Sequence, residues 1–197
     1  MPWLEPVTLS GAHAQLKPLS HDHIDGLTEA VKDGELWKLW YTLIPRAEDM
    51  AKEIDRRLAL QKAGAMLPFT VFDADGKIAG MSTYMNVDAA NRRVEIGSTW
   101  YAKRVQRSAL NTQCKLLLLT HAFEKLDCIA VEFRTHFFNH QSRRGIERLG
   151  AKLDGILRSH QLASNGTLRD TVVYSIIAAE WPTVKVHLNY QLNEKAR

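Results

Sequence analysis

The stretch VEIGSTWYAKRVQRSALNTQCKLLLLTHAF, residues 94–123, decides how this chain folds. Its first eight residues read as a strand, 94–101, in which Val94 and Ile96 flank Glu95 with the period of two that sends neighbours to opposite faces. A basic loop, 103–108, follows and runs directly into a helix predicted over about residues 109–126. That helix carries Leu116, Leu117, Leu118, Leu119, Ala122, Phe123 and Leu126, apolar nearly all round, so it is expected to be buried against a sheet. A loop rich in Arg and Lys at a helix start suits phosphates, because the first turn offers unpaired N–H groups and a partial positive charge.

Working outward, residues 129–135 form the next predicted strand. Asn139-His140-Gln141-Ser142 then opens a second helix that ends at Leu149-Gly150. Upstream, residues 13–18 alternate as a first strand, and Ser20 or Asp22 caps a short helix to Val31. Asp33 is expected to start another short helix to about Tyr41. Pro45 and Glu48 open a longer one to about Ala63, with Met50, Ile54, Leu58 and Gln61 at near-helical spacing. The clearest hairpin joins 68–73 to 77–84 through Ala74-Asp75-Gly76, and 86–91 reads as a polar turn. Residues 152–161 are extended, Ser164-Asn165-Gly166 turns, and 169–177 is a strand. Glu180-Trp181-Pro182 starts a last short helix.

The 197 residues, with 45% hydrophobic and 24% charged, fit one ordinary globular domain spanning 1–197. No apolar run approaches the roughly 18 residues of a membrane span, and Met1-Pro2-Trp3-Leu4-Glu5 lacks the features of a secretion signal. Cys114 and Cys128 make neither a disulfide framework nor a zinc motif and read as buried small residues. A cytoplasmic protein without a metal is expected. The net charge of +4 is modest, and without interleaved aromatics the basic residues do not favour nucleic acid. No P-loop, dinucleotide fingerprint, nucleophile elbow or zinc-protease motif occurs.

Several patterns do coincide. Glu95-Ile96-Gly97-Ser98-Thr99-Trp100 resembles the E-I-G-x-x-[WL] strand of the GNAT superfamily of N-acetyltransferases, which use acetyl-coenzyme A. Residues 139–151 resemble its N-x-x-S-x-x-x-x-x-x-L-G-[FA] signature, and Leu157-Arg158 with residues 169–175 complete the likeness. The branch is that of the ribosomal-protein alanine and serine N-acetyltransferases, and the resemblance spans roughly residues 12–180. The loop departs from the family's Q/R-x-x-G-x-G/A: Gln106 stands, but Ala109 and Asn111 replace the small residues.

This resemblance implies an α/β (α+β) acyl-coenzyme A N-acyltransferase fold, a mixed central sheet with helices on both faces. It also implies which residues meet acetyl-coenzyme A. The edge of residues 96–101, including Ser98, Thr99 and Trp100, would pair with pantetheine amides as an added strand. Gln106 would also bind the cofactor, and the backbone N–H groups of Arg107, Ser108, Ala109, Leu110, Asn111 and Thr112 would cradle the pyrophosphate, with Arg104 and Arg107 adding charge. Ala109 permits this if its φ is negative. Asn111 either donates to a phosphate or caps the helix. Asn139 orders its loop and bonds the pantetheine arm.

Ser142 is the candidate proton donor to the leaving thiolate, or else a helix cap. Glu95 is the candidate base, direct or through water, or else a solvated strand glutamate. His136 and His140 are further base candidates. Trp37, Trp40 and Tyr41 line the acceptor pocket or form a core stripe. The implied function is acetyl transfer to a primary amine, on a protein N-terminus or a small molecule, by direct attack. The branch admits homodimers. A non-catalytic acyl-coenzyme A binder is the rival that the altered loop raises.

Overall fold

The computed structural model describes residues 3–163 and 165–195. Its strands are β1 (Leu9–Ser10), β2 (Ala14–Pro18), β3 (Met66–Asp73), β4 (Ile78–Asp88), β5 (Arg93–Tyr101), β6 (Ala130–His136), β7 (Lys152–Leu162) and β8 (Leu168–Ile177). Its α-helices are α1 (Ile24–Lys32), α2 (Met50–Lys62), α3 (Leu110–Glu124), α4 (His140–Glu147) and α5 (Trp181–Lys195). The strands form one eight-stranded sheet in the order β1-β2-β3-β4-β5-β6-β8-β7. Every pairing is antiparallel except β5 with β6, which is parallel. The α3 crossover between β5 and β6 makes that pair parallel, as a βαβ connection requires.

Helices cover both faces. On one face α3 and α5 pack a core that includes Leu118, Leu119, Val131, Phe133, Tyr174, Val184 and Leu188. On the other, α1 and α2 pack Leu27, Val31, Met50 and Ile54 around Met81 and Trp100. Leu118 is fully buried, so truncating it to alanine would cost about 2–5 kcal/mol.

Local chemistry explains most element ends. Ser20 caps the first helical segment: its Oγ accepts from the N–H of Asp22, and its own N–H donates to His23 Nδ1. In the β3–β4 turn, Asp73 Oδ1 accepts the N–H groups of Asp75 and Lys77 at 3.1 and 2.9 Å. Gly80 is fixed by crowding, since a Cβ there would lie 2.1 Å from the Trp100 carbonyl oxygen on β5.

Three sequence expectations need correction. The helix expected from Asp33 to Tyr41 is only a 3-10 turn, Leu36–Lys38. Gly34 and Glu35 take left-handed φ values of 100° and 46°, which an α-helix cannot contain. The polar turn expected at 86–91 is shorter, because β4 continues to Asp88 through a left-handed Asn86. The last helix is long rather than short. Trp181, Val184, Leu188 and Leu192 bury a stripe against α3, where Trp181 stacks on Phe123 and donates to Glu124.

Candidate active site

The parallel pairing of β5 with β6 lasts only from Arg93 to Glu95, opposite Ala130 to Glu132. Beyond it the strands diverge, and among the described residues the inner edge of β5 from Ile96 onward has no strand beside it. A β-bulge turns β5 away. Thr83 pairs with Gly97 but Met81 with Trp100, so Ser98 and Thr99 face the single residue Ser82, and Ser98 sits at φ 47°. Arg57 of α2, itself buried, holds the bulge. Its Nη1 donates to Thr83 Oγ1 at 2.7 Å and reaches the Ser98 carbonyl at 3.4 Å, while Glu53 pairs with its Nε at 2.7 Å.

The divergence opens a cleft of about 550 Å³ running from the β5–α3 loop to the end of β6. At the loop end lie Gln106, Arg107, Asn111 and Lys115. The N–H groups of Arg107, Ser108 and Ala109 meet no protein acceptor among the described residues. Arg107 takes the left-handed conformation, φ 60°, and Ala109 has φ −70°. The altered loop thus places its left-handed residue away from the alanine. Ser108, not Asn111, serves the helix start, since its Oγ accepts the N–H of Leu110 at 3.2 Å. Asn111 lines the cleft instead.

Arg104 is directed elsewhere. It pairs with Asp73 and donates to the Ile78 carbonyl on the far side of the hairpin, so of the two arginines expected to add charge only Arg107 lines the cleft. The side chains of Leu110 and Thr112 are buried in the fold, Thr112 accepting from Arg148 at 3.0 Å, and only their backbone remains for a ligand. Trp100 likewise sends its ring into the α1–α2 core, leaving its backbone at the cleft.

At the other end sits Glu95, 5% exposed, with Val94 and Ile96 turned to the core. Asn86 donates to its Oε2 at 2.6 Å and Arg134 stands at 3.6 Å. Burial lifts its carboxyl above the ordinary glutamate range despite Asn86 and Arg134. A Cβ on Gly97 would fall 2.7 Å from Glu95 Oε1, so the glycine leaves that oxygen its place.

His136 closes this end. Its Nδ1 accepts the N–H of Phe138 at 3.1 Å, so the proton of the neutral ring belongs on Nε2, which has no partner among the described residues. Burial keeps it below its usual pKa, hence neutral at pH 7. A ring in this tautomer donates from Nε2 and has no free lone pair there to take a proton. His140, exposed at the start of α4, does not line the cleft. Trp40 packs edge-on to His136 at 5.0 Å and Tyr41 lines the cleft, whereas Trp37 packs against the α1–α2 core.

Asn139 and Ser142 divide two tasks. Asn139 Oδ1 accepts the Ser142 N–H at 3.0 Å and caps α4. The Ser142 hydroxyl is free of that duty and lines the cleft. Replacing Asn139 by alanine is therefore expected to cost about 1 kcal/mol of stability, and replacing Ser142 almost none, as thermal unfolding would show.

One residue was missed in the sequence. Lys115 is 7% exposed, donates to Thr99 Oγ1 at 3.2 Å, and lies 5.9 Å from the Phe133 ring centroid. Burial lowers its ammonium to about 8. A lysine directly before the run Leu116–Leu119, on a helix expected to be buried, was the available signal.

The description "Acetyltransferase (GNAT) domain" matches residues 14–152. The chain belongs to the GNAT acetyltransferase family. It is 36% identical over 107 residues to "Putative ribosomal N-acetyltransferase YdaF" of Bacillus subtilis (strain 168), covering 54% of this chain and 57% of that protein. A GCN5-related N-acetyltransferase from Brucella melitensis is similar with a TM-score of 0.86 at 29% identity, over 97% of this chain and 87% of that one. Mycobacterium smegmatis RimJ in complex with CoA-disulfide shares the fold, with a TM-score of 0.80 at 20% identity over 94% and 95% of the two chains. The mixed sheet expected of a GNAT protein, with helices on both faces, is the one observed.

Proposed function

We propose that this protein transfers an acetyl group from acetyl-coenzyme A to the amine of a protein N-terminus by direct attack. The observation that carries the reading is the cleft where β5 leaves β6, with a buried glutamate at one end and free loop N–H groups at the other. Acetyl-coenzyme A supplies the activated thioester. The residues present fit it: Arg107 and the N–H groups of residues 107–109 receive phosphate oxygens, and the unpaired edge of β5 receives amides.

Glu95, ionised above its raised pKa, takes a proton from the incoming ammonium or its amine, directly or through water. As the new C–N bond forms the C–S bond breaks; Ser142 gives its hydroxyl proton to the departing thiolate and is restored by the second proton that the nitrogen loses on becoming an amide. His136, protonated on Nε2, serves as a donor rather than as the base. The choice of a protein acceptor is supported by the likeness to the Bacillus subtilis protein, which is named for ribosomal N-acetyl transfer. A ribosomal-protein acceptor would place the enzyme in the cytoplasm, and no helix among the described residues is long and apolar enough to cross a membrane.

Titration calorimetry with acetyl-coenzyme A, followed by thiol release with a panel of N-terminal peptides and small amines, tests this directly. Turnover with peptides is expected. Binding without turnover for any amine would favour the non-catalytic binder, and no binding would contradict both. Ser142→Ala is expected to lower kcat by about tenfold or more with α4 intact.

A further inference from the structure

The acceptor end of the cleft holds two donors that the fold itself leaves unsatisfied. Arg169 of β8 and His136 of β6 both line it. Arg169 Nε and His136 Nε2 are shielded from solvent, and neither has a partner among the described residues. The strand register puts them together. His136 pairs with Thr171 across β6 and β8, and Arg169 lies two residues from Thr171 on the same sheet face. A donor buried without a partner destabilises a fold, and a charged one more so. Two on one wall mark a place that something else completes.

The other charges at this end are already committed. Arg134 holds Glu132 through Nε and Nη2 at 3.2 and 2.9 Å, and leans on Glu95. Glu95 takes the Asn86 amide. Asp170, the neighbour of Arg169, belongs to Arg158 and the Ser159 N–H outside the cleft. Glu95 and Arg169 attract one another across this end, but no hydrogen bond joins them among the described residues and the Arg169 Nε–H is left open. The missing group is an acceptor, because both orphans are donors. It is anionic, because one donor is a guanidinium whose fork matches the two oxygens of a carboxylate.

We infer that the acceptor amine carries a carboxylate close by, gripped by Arg169 with His136, and that the substrate is a peptide whose first residues include an acidic side chain. The inference rests on the acetyl-transfer reading above. A peptide fits better than a free amino acid because the same end carries an exposed apolar rim, Trp40, Leu43 and Phe138 at 54%, 83% and 56% exposure. Such a rim gives a chain something to lie on beyond its first residue.

The test uses matched peptides beginning with serine or alanine that carry Glu or Gln at the second, third or fourth position. Free glutamate and free alanine form the small-molecule arm. KM and kcat are measured separately, and acetyl-coenzyme A affinity is followed by calorimetry as the check on folding. The Glu peptides at one position are expected to show a KM about tenfold or more below their Gln partners. Arg169→Gln should erase the difference and Arg169→Lys should restore part of it. His136→Gln should reduce the difference less than Arg169→Gln does.

Equal KM values for Glu and Gln peptides in the wild-type protein would overturn the inference without any variant. So would a preference that survives Arg169→Gln. Turnover of free glutamate in place of every peptide would keep the carboxylate grip and overturn the peptide. Acetyl-coenzyme A binding with no turnover of any amine would overturn the acetyl-transfer reading, and this inference with it.

Discussion

Glu95→Gln is expected to lower kcat by about 10²–10⁴-fold, the range lost with a general base, and to raise thermal stability at pH 7. Both effects have one cause. The Glu95 carboxyl is buried, and burial raises its pKa above the ordinary range. A carboxyl raised in the folded state favours the fold while it is protonated. That contribution is lost as pH rises through the folded pKa, so at pH 7 the fold carries the cost of an ionised group. Glutamine keeps the volume and an oxygen for the Asn86 amide, and it removes that cost together with the proposed base.

The wild-type rate should fall on acidification with a midpoint above the usual glutamate value. The variant should lose this limb. Steady-state kinetics from pH 5 to 9 with thermal unfolding at pH 5 and pH 7 checks all three statements. An unchanged rate and pH profile would remove Glu95 from the chemistry.

Lys115→Met should be the more stable protein at neutral pH, by up to about 3 kcal/mol or roughly 6–12 °C in Tm. The folded-state ammonium titrates at about 8, far below a free lysine, because it is buried. A cation lowered in this way binds fewer protons folded than unfolded between about pH 8 and 10.4. Wild-type stability therefore rises with pH across that window, and the penalty is fully present below it. The advantage of methionine, large at pH 7, should close near pH 10. Methionine fills a similar volume, and the lost hydrogen bond to Thr99 offsets a part of the gain. A variant less stable than wild type at pH 7 would show that the charge is compensated within the fold.

The central plan was legible because its signals are local. Residues 94–123 display a strand, a basic loop and an apolar helix within one continuous stretch, and each element lies where that pattern places it. The hairpin around Asp73 carries its own turn chemistry, so it too reads directly. The region from Asp33 to Tyr41 misled because Trp37, Trp40 and Tyr41 have helical spacing, while the deciding facts are the left-handed Gly34 and Glu35. The length of α5 was visible in principle: Trp181, Val184, Leu188 and Leu192 recur every three or four residues, diluted by polar neighbours.

Position along the chain put Glu95, Asn139 and Ser142 where the structure has them, on the wall of the cleft, because their own strand and helix start set their geometry. It could not tell Arg104 from Arg107, since the two differ only in which way the loop turns them. Nor could it pair His136 with Arg169. They come from separate strands, and only the register of β6 on β8 makes them neighbours.

On the proposed reading, acetyl-coenzyme A lies between the diverging strands with its phosphates on the α3 loop. Amide hydrogen exchange with and without acetyl-coenzyme A measures this most directly. Binding should slow exchange in two blocks, the inner edge of β5 over residues 96–101 and the loop and first helical turn over residues 107–112. The β3–β4 turn that holds Arg104 should be unaffected. Binding that protects neither block, or protects residues outside this cleft in their place, would contradict the account.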